Sequence, residues 1–199
     1  MQGTTVYNGV DYSAVYNMSD YLNKNTDVKK AVGGDDLAAI AHFVNYGMKE
    51  GRQASSKFDV NSYRMRYKDL RSAFGYDLAS YYYHYMSSGK AEGRQATGKV
   101  TDIDGVTVYN GVDYAAVYNF NYYVDANPDI KAAFGNDDLA VLSHFVNYGM
   151  KEGRRGCEAF NVLTYREKNG DLKAAFGDDL KQYYIHYMNY GKNEGRKAA

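Results

Sequence analysis

The stretch from His42 to Arg52 reads His-Phe-Val-Asn-Tyr-Gly-Met-Lys-Glu-Gly-Arg, and it decides the fold because the chain contains four copies of it. The copy at His144–Arg154 is identical, and the copies at His84–Arg94 and His186–Arg196 are altered. Every histidine of the protein lies in one of these copies. A residue that recurs once per copy is better explained by what each structural unit needs than by a single active site.

The spacing of the copies predicts a repeat within a repeat. The two identical copies begin at residues 42 and 144, 102 residues apart, and the leader Val6–Tyr12 returns as Val108–Tyr114 at the same offset. Within each half the copies are 42 residues apart, since they begin at 42 and 84 and again at 144 and 186. We therefore assign one repeat pair to residues 1–97 and the linker with the second pair to residues 98–199. The four units cover residues 16–52, 58–94, 118–154 and 160–196.

Each unit carries the signals of two or three short helices. Asn127-Pro128-Asp129 places a proline in a first helical turn and an acid near its positive end. Glycine ends that helix at Gly135, and an aspartate before the next helix can cap it. The apolar stripe of the last helix in unit one is Leu37, Ile40, Phe43, Val44 and Gly47. The predicted fold class is all-α, with tandem helical repeats that are stabilised by stacking on their neighbours.

The leader has a different pattern. Valine and tyrosine flank Asn8-Gly9, and the same arrangement returns at Asn110-Gly111. Asn-Gly between β-branched and aromatic residues is the strongest short hairpin signal. We expect a small β-hairpin before units one and three.

Composition excludes several partners. Lys plus Arg equals Asp plus Glu, so the chain lacks the basic field that nucleic acid requires. No apolar run approaches the roughly 18 residues of a membrane span, so we expect no membrane insertion. The single cysteine, Cys157, reads as a tolerated free thiol. Residues 1–5 lack the features of a signal peptide, so the chain is either cytosolic or a piece of a longer secreted protein.

The pattern Tyr/Phe-x4-Tyr … Asn-x-Asp … His-Phe/Tyr-x2-Tyr-Gly-x2-Glu-Gly-Arg resembles helical, tyrosine-rich repeats of large secreted and cell-surface proteins of gut Firmicutes. Asn127–Ile130 and Tyr148–Arg154 carry the resemblance best, and Ser88 departs from it. The resemblance implies a non-catalytic repeat of a Gram-positive, wall-associated or adhesin-like protein. It brings no catalytic residues, so none are assigned.

The polar residues of the signature are interpreted as structural. We expect each histidine to bond to the hydroxyl four residues later, as His42 would to Tyr46, or to a neighbouring helix carbonyl. No unit has a second histidine, so no metal or cofactor is predicted. A calcium loop at Asp102–Gly105 is only a weak alternative, because the downstream glutamate is missing. The signature residues are His42, Arg52, His84, Arg94, His144, Arg154, His186 and Arg196.

The arginines that end the four copies could clamp a ligand carboxylate or phosphate. Because they recur once per unit, pairing with an acid of the same or the next unit, or stacking on a tyrosine, is the better interpretation. The sequence contains no recognisable motif for an activated nucleophile, so an enzyme is not predicted.

Tyrosine is the remaining signal, with 23 residues. Consecutive tyrosines on one helix cannot all face one core. They either fill junctions between repeats or form a binding surface, for which the candidates are Tyr81, Tyr83, Tyr122, Tyr123 and Tyr183.

These observations predict a non-catalytic binding module of a secreted or surface-exposed bacterial protein. The expected partner is a host macromolecule such as an immunoglobulin or a mucosal glycoprotein. The alternatives are an anchor that binds cell-wall polysaccharide and a structural spacer for an attached enzyme.

Overall fold

The computed structural model describes residues 3–199. The chain forms two compact halves, and the boundary between them in the sequence falls between Asp102 and Ile103. The predicted boundary, after residue 97, lies slightly earlier. Each half contains one leader hairpin and two of the four predicted repeat units. The fold is all-α apart from those hairpins, as the sequence predicts.

The first half contains strands β1 (Val6–Tyr7) and β2 (Val10–Asp11) and helices α1 (Met18–Lys24), α2 (Thr26–Val32), α3 (Asp36–His42), α4 (Val60–Arg66), α5 (Lys68–Phe74) and α6 (Leu78–His84). The second half contains β3 (Val108–Tyr109), β4 (Val112–Asp113), α7 (Phe120–Ala126), α8 (Pro128–Phe134), α9 (Asp138–His144), α10 (Met150–Glu152), α11 (Val162–Lys168), α12 (Gly170–Phe176) and α13 (Leu180–His186).

The third helix of every unit continues as a π-helix, which the sequence analysis did not predict. The four π-helices are π1 (Phe43–Gly47), π2 (Tyr85–Gly89), π3 (Phe145–Gly149) and π4 (Tyr187–Gly191). In π1 the amide of Met48 donates to the carbonyl of Phe43, five residues earlier. Such wide turns are rare and are usually confined to one turn.

Helix ends follow the predicted signals in most places. Asp35 and Asp137 accept from the amides of Ala38 and Ala140 at 2.9 and 3.2 Å, which caps α3 and α9. Asp77 and Asp179 occupy the same cap position without a side-chain bond to the helix amides. Each second helix of a unit stops at a glycine, such as Gly33 with φ +61°.

Both leader hairpins form as predicted. Val6 pairs with Asp11 and Tyr7 with Val10, and the second half repeats this register. Asn8 and Gly9 have φ of 49° and 78°, the left-handed pair that a tight two-residue hairpin turn requires.

The two units of the first half share one core. Buried side chains from Tyr12 to Ala96 form a single cluster. Tyr82 of the second unit packs edge-on against Phe43 of the first, with ring centroids 5.6 Å apart. Its hydroxyl donates to the carbonyl of Arg52 at 3.0 Å. Stacking of neighbouring repeats therefore buries the apolar faces within this half.

One residue of the predicted stripe is misplaced. Ile40 and Phe43 are fully buried, but Leu37 is 57% exposed. Ala39 takes the buried position in the first turn of α3, so the core-facing side is centred on residues 39, 40 and 43. Leu37 lies to one side of that face.

Candidate functional site

Each unit contains a buried tyrosine that is hydrogen-bonded to the histidine of its signature. The tyrosine lies in the first helix of the unit, and its hydroxyl meets Nδ1 of the histidine 21 residues later. The four Oη–Nδ1 distances are 2.8 Å for Tyr21–His42, 2.9 Å for Tyr63–His84, 3.1 Å for Tyr123–His144 and 3.0 Å for Tyr165–His186.

This arrangement corrects the predicted partner of the histidine. The hydroxyl comes from the first helix of the unit, not from the residue four positions later. Tyr46 instead packs against the imidazole of His42, with ring centroids 5.5 Å apart. Tyr148 and Tyr190 lie at 5.6 Å from His144 and His186 in the same way.

The signature glycine makes room for this bond. A Cβ added at Gly47 would lie 2.6 Å from Oη of Tyr21. The equivalent glycines meet the hydroxyl of their own tyrosine just as closely; they are Gly89, Gly149 and Gly191. Because each of these glycines ends a π-helix, the wide turn brings a residue without a side chain to the tyrosine.

The arginine at the end of each signature forms ion pairs with two acids of its own unit. We call it the closing arginine and its ion pairs the closing pairs. Arg52 bonds to Asp27 at the start of α2 at 2.8 Å and to Glu50 at 2.5 Å. The same two partners recur as Asp69 and Glu92 for Arg94, Asp129 and Glu152 for Arg154, and Asp171 and Glu194 for Arg196. This confirms the predicted pairing with an acid of the same unit. A clamp for an external anion is not favoured, because two carboxylates already neutralise each guanidinium.

Unit two also confirms the predicted stacking on tyrosine. In the other units an asparagine bonds to the arginine, as Asn127 does to Arg154 at 3.1 Å. Tyr67 replaces that asparagine in unit two, and the guanidinium of Arg94 lies 4.8 Å from its ring centroid. A cation over an aromatic face is attracted by the ring quadrupole.

The electrostatics match a structural role for these groups. The bond from Arg154 lowers the pKa of Asp129 below its ordinary value of 3.8, and Arg196 does the same for Asp171. Burial raises the pKa of Tyr165 to about 12 and also raises that of Tyr123. Burial, followed by the charge of Arg154, lowers the pKa of His144 below 6.5. At neutral pH the pair of Tyr123 and His144 is therefore a bond between uncharged groups.

Three of the five tyrosines predicted to bind a partner are core residues. Tyr81, Tyr123 and Tyr183 have no exposed surface, so their prediction as surface residues is wrong. The hydroxyls of Tyr81 and Tyr183 donate to the carbonyls of Gly75 and Gly177 at 2.8 Å, which satisfies them inside the fold. These tyrosines serve as large core side chains within a unit. The predicted junction role belongs to Tyr82 and Tyr184, whose hydroxyls donate to the carbonyls of Arg52 and Arg154 of the preceding unit.

The other two candidates reach the surface. Tyr83 is 48% exposed. Tyr122 is partly buried, and the guanidinium of Arg155 lies 5.6 Å from its ring centroid. Tyr83 belongs to the first half of the chain and Tyr122 to the second.

The most exposed recurring aromatic residue is the tyrosine four positions after the histidine, which the sequence analysis did not select. Tyr46, Tyr148 and Tyr190 are 60%, 61% and 60% exposed. Unit two has Ser88 at this position. Its recurrence in three units is the sequence signal for it, although the predicted hydrogen bond with the histidine points to a structural role instead.

No three metal-binding side chains converge within residues 3–199. In the candidate calcium loop at Asp102–Gly105, Ile103 is buried, and just after the loop the amide of Val106 donates to Asp138 at 2.9 Å. In that same described range, no helix combines the length and the apolar character that crossing a membrane requires. Cys157 is a free thiol, as predicted, and the structure shows in addition that it is buried.

The fold and the repeated network define an all-α tandem-repeat protein whose signature residues hold each unit together. Comparison with family models, with curated proteins and with solved structures found no match to this chain.

Proposed function

We propose that the chain is a non-catalytic, multivalent binding module of a secreted or surface-exposed bacterial protein. In this proposal it engages a host macromolecule such as an immunoglobulin or a mucosal glycoprotein. The observation that carries the proposal is the recurrence of one exposed tyrosine, at the same place, in three of four units.

The signature residues around that tyrosine support a non-catalytic role. His144 is bonded to Tyr123, and Arg154 is bonded to Asp129 and Glu152. The side chains that could act in acid–base chemistry or bind an anion are therefore already bonded to other residues of the unit. A tyrosine with a free ring face is suited to contact with another molecule, since it offers a large apolar surface of low flexibility.

Repetition favours avidity over a single cleft. Each unit presents a small surface, and several weak contacts on one chain strengthen binding without any new contact. A substitution at one unit should then weaken binding, and substitution at all three should abolish it.

The test is retention of a partner from serum or mucus by the immobilised full chain, followed by identification of the retained protein. Serine is the natural residue at position 88, so Tyr46→Ser, Tyr148→Ser and Tyr190→Ser are conservative for the fold. Leu163→Ser is the matched control, since Leu163 is also exposed, at 53%, but lies outside the signature.

We expect stepwise loss with one, two and three tyrosine substitutions and no loss with the control. Sedimentation with purified cell walls in place of host proteins would favour the wall anchor. A chain that binds neither would be a spacer.

A further inference from the structure

Units three and four each bring three aromatic rings together, with the histidine in the middle partly buried and the tyrosine strongly exposed. In unit three, the centroid of the His144 ring lies 5.9 Å from that of Phe134 and 5.6 Å from that of Tyr148. In unit four, Phe176, His186 and Tyr190 repeat these two distances. We call each set a ring row.

The ring rows are incomplete in the first half. Unit one has Val32 where the others have phenylalanine, although Tyr46 still packs on His42. Unit two keeps Phe74 at 5.9 Å from His84 but ends at Ser88. Units three and four therefore contain complete ring rows, and units one and two each lack one of the three rings.

The size and border of a row bear on what it can bind. Phe134 is 36% and Tyr148 61% exposed, and the neighbouring Asn147, Lys151 and Glu152 are exposed polar side chains. A stable protein interface buries about 800 Å² on each partner around a contiguous apolar centre. A row with one strongly exposed ring and a polar border is small for that purpose.

A sugar ring fits these features better. The C–H face of a pyranose packs on an aromatic face, while its hydroxyl groups need polar partners at the edge. Nδ1 of His144 is occupied by Tyr123, which leaves Nε2 for a ligand hydroxyl. The amide nitrogen of Asn147 already donates to Tyr109 and Ser143, at 3.3 and 3.2 Å, which leaves its carbonyl oxygen for a ligand hydroxyl.

The charges favour a neutral ligand. Lys151 and Glu152, three and four residues after Tyr148, carry opposite charges, and the chain has equal numbers of acidic and basic residues. A polymer rich in phosphate or sulfate would need an excess of arginine or lysine. The closing arginines cannot supply it, because Glu152 and Asp129 already pair with Arg154.

We propose that the two complete ring rows bind neutral pyranose residues in the glycan chains of a glycoprotein. This inference rests on the proposed function and specifies its ligand. Binding resides mainly in units three and four, and the two rows act together on one repetitive glycan. Tyr148 and Tyr190 supply the stacking faces.

The experiment measures binding of the full chain to immobilised gastric mucin from which sialic acid has been removed, with and without subsequent removal of the remaining glycans. The variants are wild type, Tyr148→Ser with Tyr190→Ser, and Leu163→Ser as control. A gain variant, Ser88→Tyr, completes the row in unit two beside Phe74 and His84.

We expect the double variant to bind at least about 100-fold more weakly, because it removes both stacking faces and with them the avidity of two sites that share one ligand. Ser88→Tyr should bind more tightly than wild type, and Leu163→Ser should equal it. Removal of the glycans should abolish binding, and free neutral oligosaccharide from the same mucin should compete. The competition does not depend on any variant remaining folded.

Binding that survives removal of the glycans would overturn the carbohydrate ligand while leaving the binding module in place. A double variant with wild-type affinity would overturn the ring rows as the site. Preference for purified wall polysaccharide over mucin would overturn the glycoprotein as the source. Failure of the wild type to bind either glycans or host proteins would overturn the proposed function as well.

Discussion

The hydroxyl of Tyr21 and Nδ1 of His42 are 2.8 Å apart, and this bond joins the first helix of a unit to its third. The same bond recurs in every unit, always across 21 residues. Tyr21 is fully buried, and its ring also packs edge-on against Phe43, with ring centroids 5.4 Å apart. The histidine is therefore required by the packing of the unit, which explains its recurrence.

Replacing Tyr21 with phenylalanine should destabilise the chain by about 0.5–1.5 kcal/mol, the net contribution of a typical hydrogen bond. The ring keeps its packing, so the loss reports on the hydroxyl. A double-mutant cycle with His42→Ala, followed by urea unfolding, measures the coupling between the two side chains. Strictly additive effects would show that the bond contributes nothing.

Adding a methyl group at Gly47 should be costlier than its size implies. A Cβ there would lie 2.6 Å from Oη of Tyr21, so Gly47→Ala must displace the hydroxyl or bend π1. We expect a loss of about 1–3 kcal/mol, as for other overpacked sites. Gly34→Ala is the control, because a Cβ at Gly34 meets nothing within 4 Å. Equal unfolding midpoints in urea for the two variants would contradict the close approach.

Much of the architecture could be predicted because its causes are local. The 42-residue period, the Asn8-Gly9 hairpin and the stop at Gly33 each depend on residues that are close in sequence. The sequence predicts that each closing arginine pairs with an acid, since an arginine that recurs once per unit needs an acid that recurs in the same way. It does not predict which acid. Asp27 lies 25 residues before Arg52, and only the folded unit shows that the two meet.

The exposure of individual tyrosines could not be predicted in the same way. Tyr46 is the predicted hydrogen-bond partner of His42, but the buried hydroxyl of Tyr21 occupies Nδ1 of that histidine from 21 residues away. Tyr46 therefore packs on the imidazole and remains 60% exposed, an outcome that depends on a contact distant in sequence. Tyr81 was misplaced for another reason: its hydroxyl finds the carbonyl of Gly75, which makes full burial favourable for a residue that is normally intermediate.

Cys157 should react with a thiol reagent only when the second half opens. Cys157 as a residue is 7% exposed, and burial raises the pKa of its thiol above the ordinary 9.0, so little thiolate is present at neutral pH. Labelling of the native chain should therefore be much slower than labelling in denaturant. Cys157→Ser should retain the fold, because Ser55 is buried at the same place in the first half. Rapid labelling of the native protein would contradict this burial.

Acid should weaken the closing pairs. Arg154 lowers the pKa of Asp129 below the unfolded value of 3.8, so the unfolded chain takes up the proton first as pH falls. The contribution of this pair is present above pH 3.8 and is lost as pH falls through the lower pKa of the folded state. The effect should be small, because the Asp129 side chain is 59% exposed.

Thermal unfolding from pH 6 to pH 2.5 checks this expectation. Asp129→Asn should have a flatter pH dependence than wild type below pH 4. Asp102→Asn removes the same charge from an exposed position outside the closing pairs and serves as the control. Parallel curves for Asp129→Asn and wild type would argue against the pair as a source of stability.

The consecutive residues Tyr82 and Tyr83 offer the sharpest test of how the units of the first half are joined. Tyr82 is fully buried between Phe43 and Phe58 and bonds to the carbonyl of Arg52, whereas Tyr83 is 48% exposed. Tyr82→Ala should cost about 3–5 kcal/mol, since it leaves a cavity and an unpaired carbonyl at the junction. Tyr83→Ala should cost less than about 1 kcal/mol.

Tyr82→Phe separates the two parts of that cost, because it keeps the ring and removes only the bond to Arg52, at about 0.5–1.5 kcal/mol. Urea unfolding of the three variants ranks them directly. Because both units share one core, the transition should stay cooperative in Tyr82→Phe and lose cooperativity first in Tyr82→Ala. A larger effect at Tyr83 than at Tyr82 would mean that α6 presents its other face to the junction and that the two units do not interlock through this tyrosine.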